Sequence, residues 1–159
     1  MVALILALVT ALFLSGGSLA QAAESLLGVS SAAALRLARE SRARWTLGNF
    51  EVRHLRCIFP RIRAELLDTG RVVARLRVDP ATGDILAEDE CPTREGNLDD
   101  LAALRPTVER ALHRLEIGNW TWPTEQGRAW GVPLRYGDRV VGILKVDVRQ
   151  GLLTRTDED

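Results

Sequence analysis

The sequence predicts an α+β fold in which two repeated units each pack one helix on an antiparallel β-meander. Three observations lead to this prediction. A block of strand-like sequence occurs twice, a helical pattern precedes each block, and the strands alternate apolar and polar residues as strands with one buried face do. We place the first unit at residues 23–96 and the second at residues 97–159.

The repeated block covers residues 71–90 and 139–158, which are identical at nine of 20 positions at a shift of 68. In the first copy the identical residues are Arg71, Val72, Val73, Leu76, Val78, Asp79, Gly83, Asp89 and Glu90. Upstream, residues 47–50 (LGNF) match residues 117–120 (IGNW) at a shift of 70. The repeat therefore includes more than one hairpin, and we expect the order helix, Gly-Asn turn, strands in each unit.

Each block follows a helical pattern, with apolar or small residues at the spacing of one helix face. In the first unit these are Ala34, Ala38, Ser41 and Trp45; in the second they are Leu104, Val108, Ala111 and Leu115. Ser30 or Ser31 is suited to cap the first helix, and Pro106 suits the first turn of the second.

The strands alternate between two faces. The predicted core face carries Ile62, Ala64, Leu66, Val72, Ala74, Leu76 and Val78. The opposite face carries Arg61, Arg63, Glu65, Arg71, Arg75 and Arg77. Residues 79–83 predict a tight connection, since Pro pre-sets a turn dihedral and Gly accepts a positive φ. Gly137 and Asp138 predict a two-residue hairpin turn.

Residues 1–22 have the pattern of a signal peptide. The apolar run at 2–14 is shorter than the roughly 20 residues that a membrane-spanning helix needs. Ala20, Gln21 and Ala22 form the small-x-small pattern of a cleavage site. We therefore expect cleavage after Ala22, a periplasmic or secreted protein, and no stable membrane span afterwards. A retained anchor is the alternative. No Lys or Arg precedes the apolar run, which departs from the usual signal pattern, so the positive charge there comes only from the terminal amine or the true start lies upstream.

Two further features constrain the class of protein. Cys57 and Cys91 are the two cysteines, and an even number in an exported protein favours a disulfide, with two buried free thiols as the alternative. The chain carries 21 basic and 21 acidic residues and is formally neutral. It therefore lacks the basic excess that binding to a phosphate backbone requires, and we expect no nucleic-acid partner.

The end of the first block resembles a PepSY domain, which usually closes with a strand, an Asp-Pro-x-Thr-Gly turn and a final strand. The matching residues are Val78, Asp79, Pro80, Thr82, Gly83 and Ile85; the second copy keeps Asp147 and Gly151. The resemblance implies a non-catalytic module of the cell envelope or exterior, of a kind found in the propeptides of secreted metallopeptidases and proposed to restrain peptidases. It supplies no catalytic residues to transfer.

Two groups of residues are candidates for binding a partner. Arg61, Arg63, Arg71, Arg75 and Arg77 are predicted to form one positive patch for an acidic partner. The alternative is that their charged groups are solvated or neutralised by acidic residues of the same chain. In the second copy Val141 and Ile143 occupy the face that carries arginine in the first, and we expect that face to pack against the other unit or a partner.

The second candidate is a group of tryptophans around a loop that contains Pro123: Trp120, Trp122 and Trp130. Clustered aromatic side chains anchor partners at many interfaces. Filling the core is the alternative, and we assign that role to Trp45.

Catalytic motifs were not found. His54 and His113 stand outside any His-Glu-x-x-His pattern, and the cysteines and serines form neither Cys-x-x-Cys nor Gly-x-Ser-x-Gly. The acidic stretches at 88–90 and 157–159 could attract calcium, but solvated strand ends are the simpler interpretation. We therefore predict no metal, no cofactor and no enzyme. The predicted function is an exported binding module for an envelope or secreted protein, a peptidase being one candidate. A structural or assembly factor and an enzyme are the alternatives.

Overall fold

The computed structural model describes residues 28–54 and 57–154; the predicted leader, its cleavage site and residues 155–159 lie outside the described residues. The first half contains α1 (Ser31–Ser41), β1 (Trp45–Arg53), β2 (Arg61–Asp68), β3 (Arg71–Val78) and β4 (Ile85–Leu86). The second half contains α2 (Arg105–Leu112), β5 (Leu115–Ile117), β6 (Trp122–Thr124), β7 (Ala129–Tyr136), β8 (Arg139–Asp147) and β9 (Leu153–Thr154).

The fold is α+β with two antiparallel sheets, as the sequence predicted. The first sheet has the order β1-β2-β3-β4, and the second has the order β5-β7-β8-β9, with β6 also pairing with β7. The predicted hairpin at Gly137 and Asp138 is confirmed, because these residues join β7 to β8. The predicted turn after β3 is also confirmed: the Gly83 N–H donates to the Asp79 carbonyl oxygen at 2.8 Å, and Gly83 has a φ of 76°.

Both helices begin as expected and bury the expected small residues. The Ser30 hydroxyl accepts a hydrogen bond from the Ala33 N–H, so Ser30 is the N-cap of α1. The helices bury Ala34, Ala38, Ser41, Val108 and Ala111. The prediction was wrong in length, because Trp45 and Leu115 are the first residues of β1 and β5. The Trp45 indole N–H instead donates to the Ser41 hydroxyl at 3.1 Å.

One hydrophobic core contains side chains from both sheets and both helices. The main contacts of α1 are with β5, β7 and β8 of the second sheet, whereas α2 contacts β1 of the first sheet. The chain before α1 is fixed to the second sheet as well, because the Trp130 indole N–H donates to the Val29 carbonyl oxygen at 2.6 Å. Each helix therefore lies against the sheet of the other half, which differs from the expectation that it packs on its own meander.

A β-bulge interrupts the alternation of the first sheet. Leu66 pairs with Ala74 and Leu67 pairs with Val72, so Val73 is an extra residue on β3. Val73 is buried, whereas Val72, which we predicted in the core, is half-buried. An extra residue reverses the face of every side chain beyond it, and the strict alternation predicted for this strand was therefore wrong at its start.

The second sheet has a bulge at the corresponding place. Leu134 pairs with Gly142 and Arg135 pairs with Val140, which leaves Val141 as the extra, buried residue. All seven pairs between β2 and β3 have counterparts between β7 and β8 at the same shift of 68.

The Gly-Asn pairs do not form the turns expected between helix and strands. Gly48 and Asn49 lie inside β1, where the register with β2 shifts between Leu47 and Phe50. In the second half the corresponding residues, 118 and 119, separate β5 from β6. The Gly-Asn pairs therefore mark irregularities within a strand or between two short strands.

The predicted disulfide between Cys57 and Cys91 is confirmed, with an S–S distance of 2.01 Å. It joins the loop between β1 and β2 to the segment that follows β4. Across residues 28–54 and 57–154, none of the helices has the length and apolar character needed to cross a membrane.

An ion pair fixes the segment after α1 to the first sheet. The Asp68 carboxylate accepts hydrogen bonds from Nε and Nη2 of Arg44 at 2.8 and 2.9 Å. These hydrogen bonds raise the pKa of Arg44 above its ordinary value. Because the pKa of Arg44 is raised in the folded state, the protonated guanidinium stabilises the fold at neutral pH, and this contribution is lost as the pH rises through that pKa in strongly alkaline solution.

Candidate partner-binding surfaces

Four of the five predicted arginines lie on the outer face of the first sheet, turned away from the core. On β2 and β3, Arg63 pairs with Arg77 and Glu65 pairs with Arg75, and residues paired across antiparallel strands share a face. Arg61 belongs to the same face by alternation. We call this surface the arginine face; its members are Arg53, Arg61, Arg63, Arg75 and Arg77.

Arg71 does not belong to the arginine face. It pairs with Asp68, beyond the bulge at Val73, and its side chain therefore points to the opposite side of the sheet from Arg75 and Arg77. The predicted patch of five arginines is accordingly divided between two faces.

The arginine face is neither fully exposed nor purely positive. Arg63 is only 6% exposed, and the side chain of Arg77 is largely buried. Glu88 lies 3.8 Å from the Arg77 guanidinium, and Glu51 and Glu65 lie on the same face. Glutamates of the same chain thus compensate much of the charge, as the alternative interpretation of this patch required.

The three predicted tryptophans are also divided between faces. Trp130 packs against the core and donates its indole N–H to Val29. Trp122 pairs with Gly131 on the outer face of the second sheet. A methyl group built on Gly131 would lie 2.6 Å from Cε2 of Trp122, so the indole lies directly over the glycine backbone.

Trp120 continues this outer face next to Trp122. It lies close to Gly118, since a methyl group there would be 3.2 Å from Cζ3 of Trp120 and 2.5 Å from Cγ of Pro133. Pro133 pairs with Ile143, and Arg135 pairs with Val140. We call this surface the tryptophan face; its members are Trp120, Trp122, Pro133, Val140, Ile143 and Lys145.

A third surface was not found from the sequence. The loop between β1 and β2 places Ile58 in solvent with 94% of its surface exposed, the largest value among the exposed large hydrophobic side chains of residues 28–54 and 57–154. Cys57 precedes it and is held by the disulfide, while Phe59 and Pro60 are half-buried. We call residues Cys57–Pro60 the isoleucine loop. The sequence does contain one indication of this surface. Ile58 and Phe59 are adjacent large apolar residues next to Cys57, in a connection between two strands that carry charged residues.

A groove of about 600 Å³ lies where the end of α1 meets α2 and the start of β1. Arg39, Arg42, Glu109 and His113 line it together with Trp45. The Arg42 guanidinium donates to the His113 carbonyl oxygen at 3.0 Å, so part of its hydrogen-bonding capacity is already used within the protein.

Comparisons of the chain with protein-family models, with curated proteins and with solved structures find no match. The resemblance to PepSY domains therefore stays a prediction that depends on the residues quoted above.

Proposed function

We propose that this protein is an exported, non-catalytic binding module of two PepSY-like units that presents the isoleucine loop to a cleft of an envelope or secreted protein. A peptidase is the first class of partner to test. The observation that carries the proposal is the near-complete exposure of Ile58 on a loop that a disulfide holds in place.

The repeat is supported by the pairing of the strands. The two sheets have bulges at Val73 and Val141, 68 residues apart, and the turns after β3 and β8 share their hydrogen bonds. Gly151 donates to the Asp147 carbonyl oxygen as Gly83 donates to that of Asp79. Two independent origins would not be expected to give the same bulge, the same register and the same turn.

The exposure of Ile58 favours a role in recognition. Fully burying an isoleucine side chain is worth about 1.5–3 kcal/mol, and this protein does not obtain that free energy in its own fold. A partner with an apolar pocket would obtain it on binding. An isolated exposed aliphatic residue is common on protein surfaces, so the covalent restraint of the loop at Cys57 is the second half of the argument.

The loop is restrained on both sides. Cys57 is tied to Cys91, and β2 begins immediately after Pro60, whose ring fixes φ. A restrained loop loses little conformational entropy when it binds, which favours slow release from a cleft. This mode of binding needs no chemical step and would block a peptidase by occupying its substrate site.

Affinity capture tests the proposal. The purified protein is immobilised and exposed to envelope extract and culture fluid of the producing cell, beside the variant Ile58→Asp. Leu152→Asp serves as a matched control, because Leu152 is an exposed leucine outside the loop. We expect a protein retained by the wild type and the control but lost with Ile58→Asp. Retention by all three would show that the loop is not the recognition element.

Peptidase assays separate inhibition from assembly. If the captured protein is a peptidase, addition of the wild type should reduce its activity and Ile58→Asp should not. Binding without loss of activity would instead support the structural or assembly factor.

A further inference from the structure

We propose that the tryptophan face is the interface of a symmetric homodimer. Trp120 is 44% exposed and Val140 is 37% exposed, and the side chains of Trp122 and Ile143 on the same face are half-buried. These residues form one continuous apolar surface on the outer side of a sheet. Apolar surfaces of this kind, rimmed by polar groups such as Arg135, mark interaction sites.

The fold itself does not require apolar residues at these positions. At the same register in the first sheet, 68 residues earlier, Arg75 stands where the second sheet has Ile143, and Arg63 stands where it has Gly131. The first sheet therefore demonstrates that charged side chains are compatible with this outer face. Val140 has the apolar counterpart Val72, but Ile143 and the Trp122–Gly131 pair replace Arg75 and the Glu51–Arg63 pair of the first sheet. Ile143 and Trp122 therefore need another explanation, and a covering partner supplies it.

The arrangement of the face fits a second copy of the chain. The two tryptophans lie on one side of the central strand β7, and Val140, Ile143 and Lys145 lie on the other side. A two-fold axis parallel to β7 would place the aromatic half of each copy on the aliphatic half of its partner. The same contact would then form twice, as an isologous interface requires.

The charges of the chain also favour a second copy on the tryptophan face. The chain has 21 basic and 21 acidic residues, so two copies carry no net repulsion. Glu116 and Arg135 pair at one end of the face, so its rim carries both signs. A surface for anionic lipids would instead need a basic excess. At the centre of the face the Trp122 indole covers Gly131, so a second copy would contact the indole and not the glycine backbone.

The dimer does not depend on the proposed function. It would, however, carry two isoleucine loops, so that a partner with two sites, or two partners in one assembly, would be held by avidity.

Sedimentation equilibrium of the purified protein, with its N-terminus determined by intact mass, tests this inference. We expect a dimer that dissociates only at concentrations below about 10 µM, in the range usual for specific association. Ile143→Arg introduces at this position the residue type that the first sheet carries, and Trp120→Ser removes the most exposed aromatic group. Each should weaken the dimer by about 100-fold or more, since each change acts at two symmetric places.

Leu152→Ser is the control, because Leu152 is 48% exposed but lies outside the face, and it should leave the dimer intact. Circular dichroism verifies that each variant is folded. A wild-type monomer at about 100 µM would overturn the inference. A dimer that neither Ile143→Arg nor Trp120→Ser weakens would also overturn it, because a different surface would then be responsible.

Discussion

The packing of Trp122 on Gly131 makes a quantitative prediction about the variant Gly131→Ala. The new methyl carbon would lie 2.6 and 2.8 Å from Cε2 and Cζ2 of Trp122, and 2.9 Å from Cγ2 of Thr124. Carbon atoms are normally separated by about 3.5–4.0 Å, so the indole must move by roughly 1 Å. Overpacking of this kind costs about 1–3 kcal/mol, of which the lower backbone entropy of unfolded alanine recovers up to about 1 kcal/mol.

Gly142→Ala is the matched control on the neighbouring strand. A methyl group there meets Cδ1 of Leu134 at 3.6 Å and Cδ2 of Leu76 at 3.8 Å, which are ordinary contacts. This variant should be as stable as the wild type or more stable by up to about 1 kcal/mol. Urea unfolding monitored by circular dichroism, at one protein concentration, measures both. Equal stability of the two variants would refute the placement of Trp122 over Gly131.

Three further predictions concern stability. The double variant Cys57→Ser with Cys91→Ser removes the disulfide, whose two cysteines are 34 residues apart. The chain-entropy relation then predicts that the free energy of unfolding, measured by urea titration, falls by about 4 kcal/mol. Arg139→Ala removes hydrogen bonds to Glu90 and to the Ile85 carbonyl of β4, and it should lower the free energy of unfolding by about 1 kcal/mol. Arg71→Ala should lower it by less than about 0.5 kcal/mol. Each helix lies on the sheet of the other half, so neither half produced alone should show the circular dichroism spectrum or the cooperative unfolding of the whole chain. A half that unfolds cooperatively by itself would contradict the shared core.

Local signals in the sequence predicted the elements of the fold well. The turn at Asp79–Gly83, the cap at Ser30 and the hairpin at Gly137 depend on residues within one turn of each other, and all were confirmed. The disulfide was predicted from the even number of cysteines in a chain whose first 22 residues have the pattern of a signal peptide.

Features that depend on distant parts of the chain were not predicted. The bulge at Val73 has no local signature, because either Val72 or Val73 is an acceptable core residue, and this single ambiguity placed Arg71 on the wrong face. The packing of each helix on the opposite sheet is a property of the assembled core, since both sheets present similar aliphatic faces to the helices and no local pattern distinguishes them. The burial of Arg63 and the exposure of Ile58 likewise depend on neighbours that periodicity does not specify.

The affinity of the captured partner for the isoleucine loop tests the proposed function most directly. Isothermal titration of the purified partner should give an affinity for Ile58→Asp that is at least about 30-fold weaker than that for the wild type, since about 2 kcal/mol of apolar burial is lost. The variant Leu152→Asp should bind like the wild type. Equal affinities of the wild type and Ile58→Asp would contradict recognition through the loop.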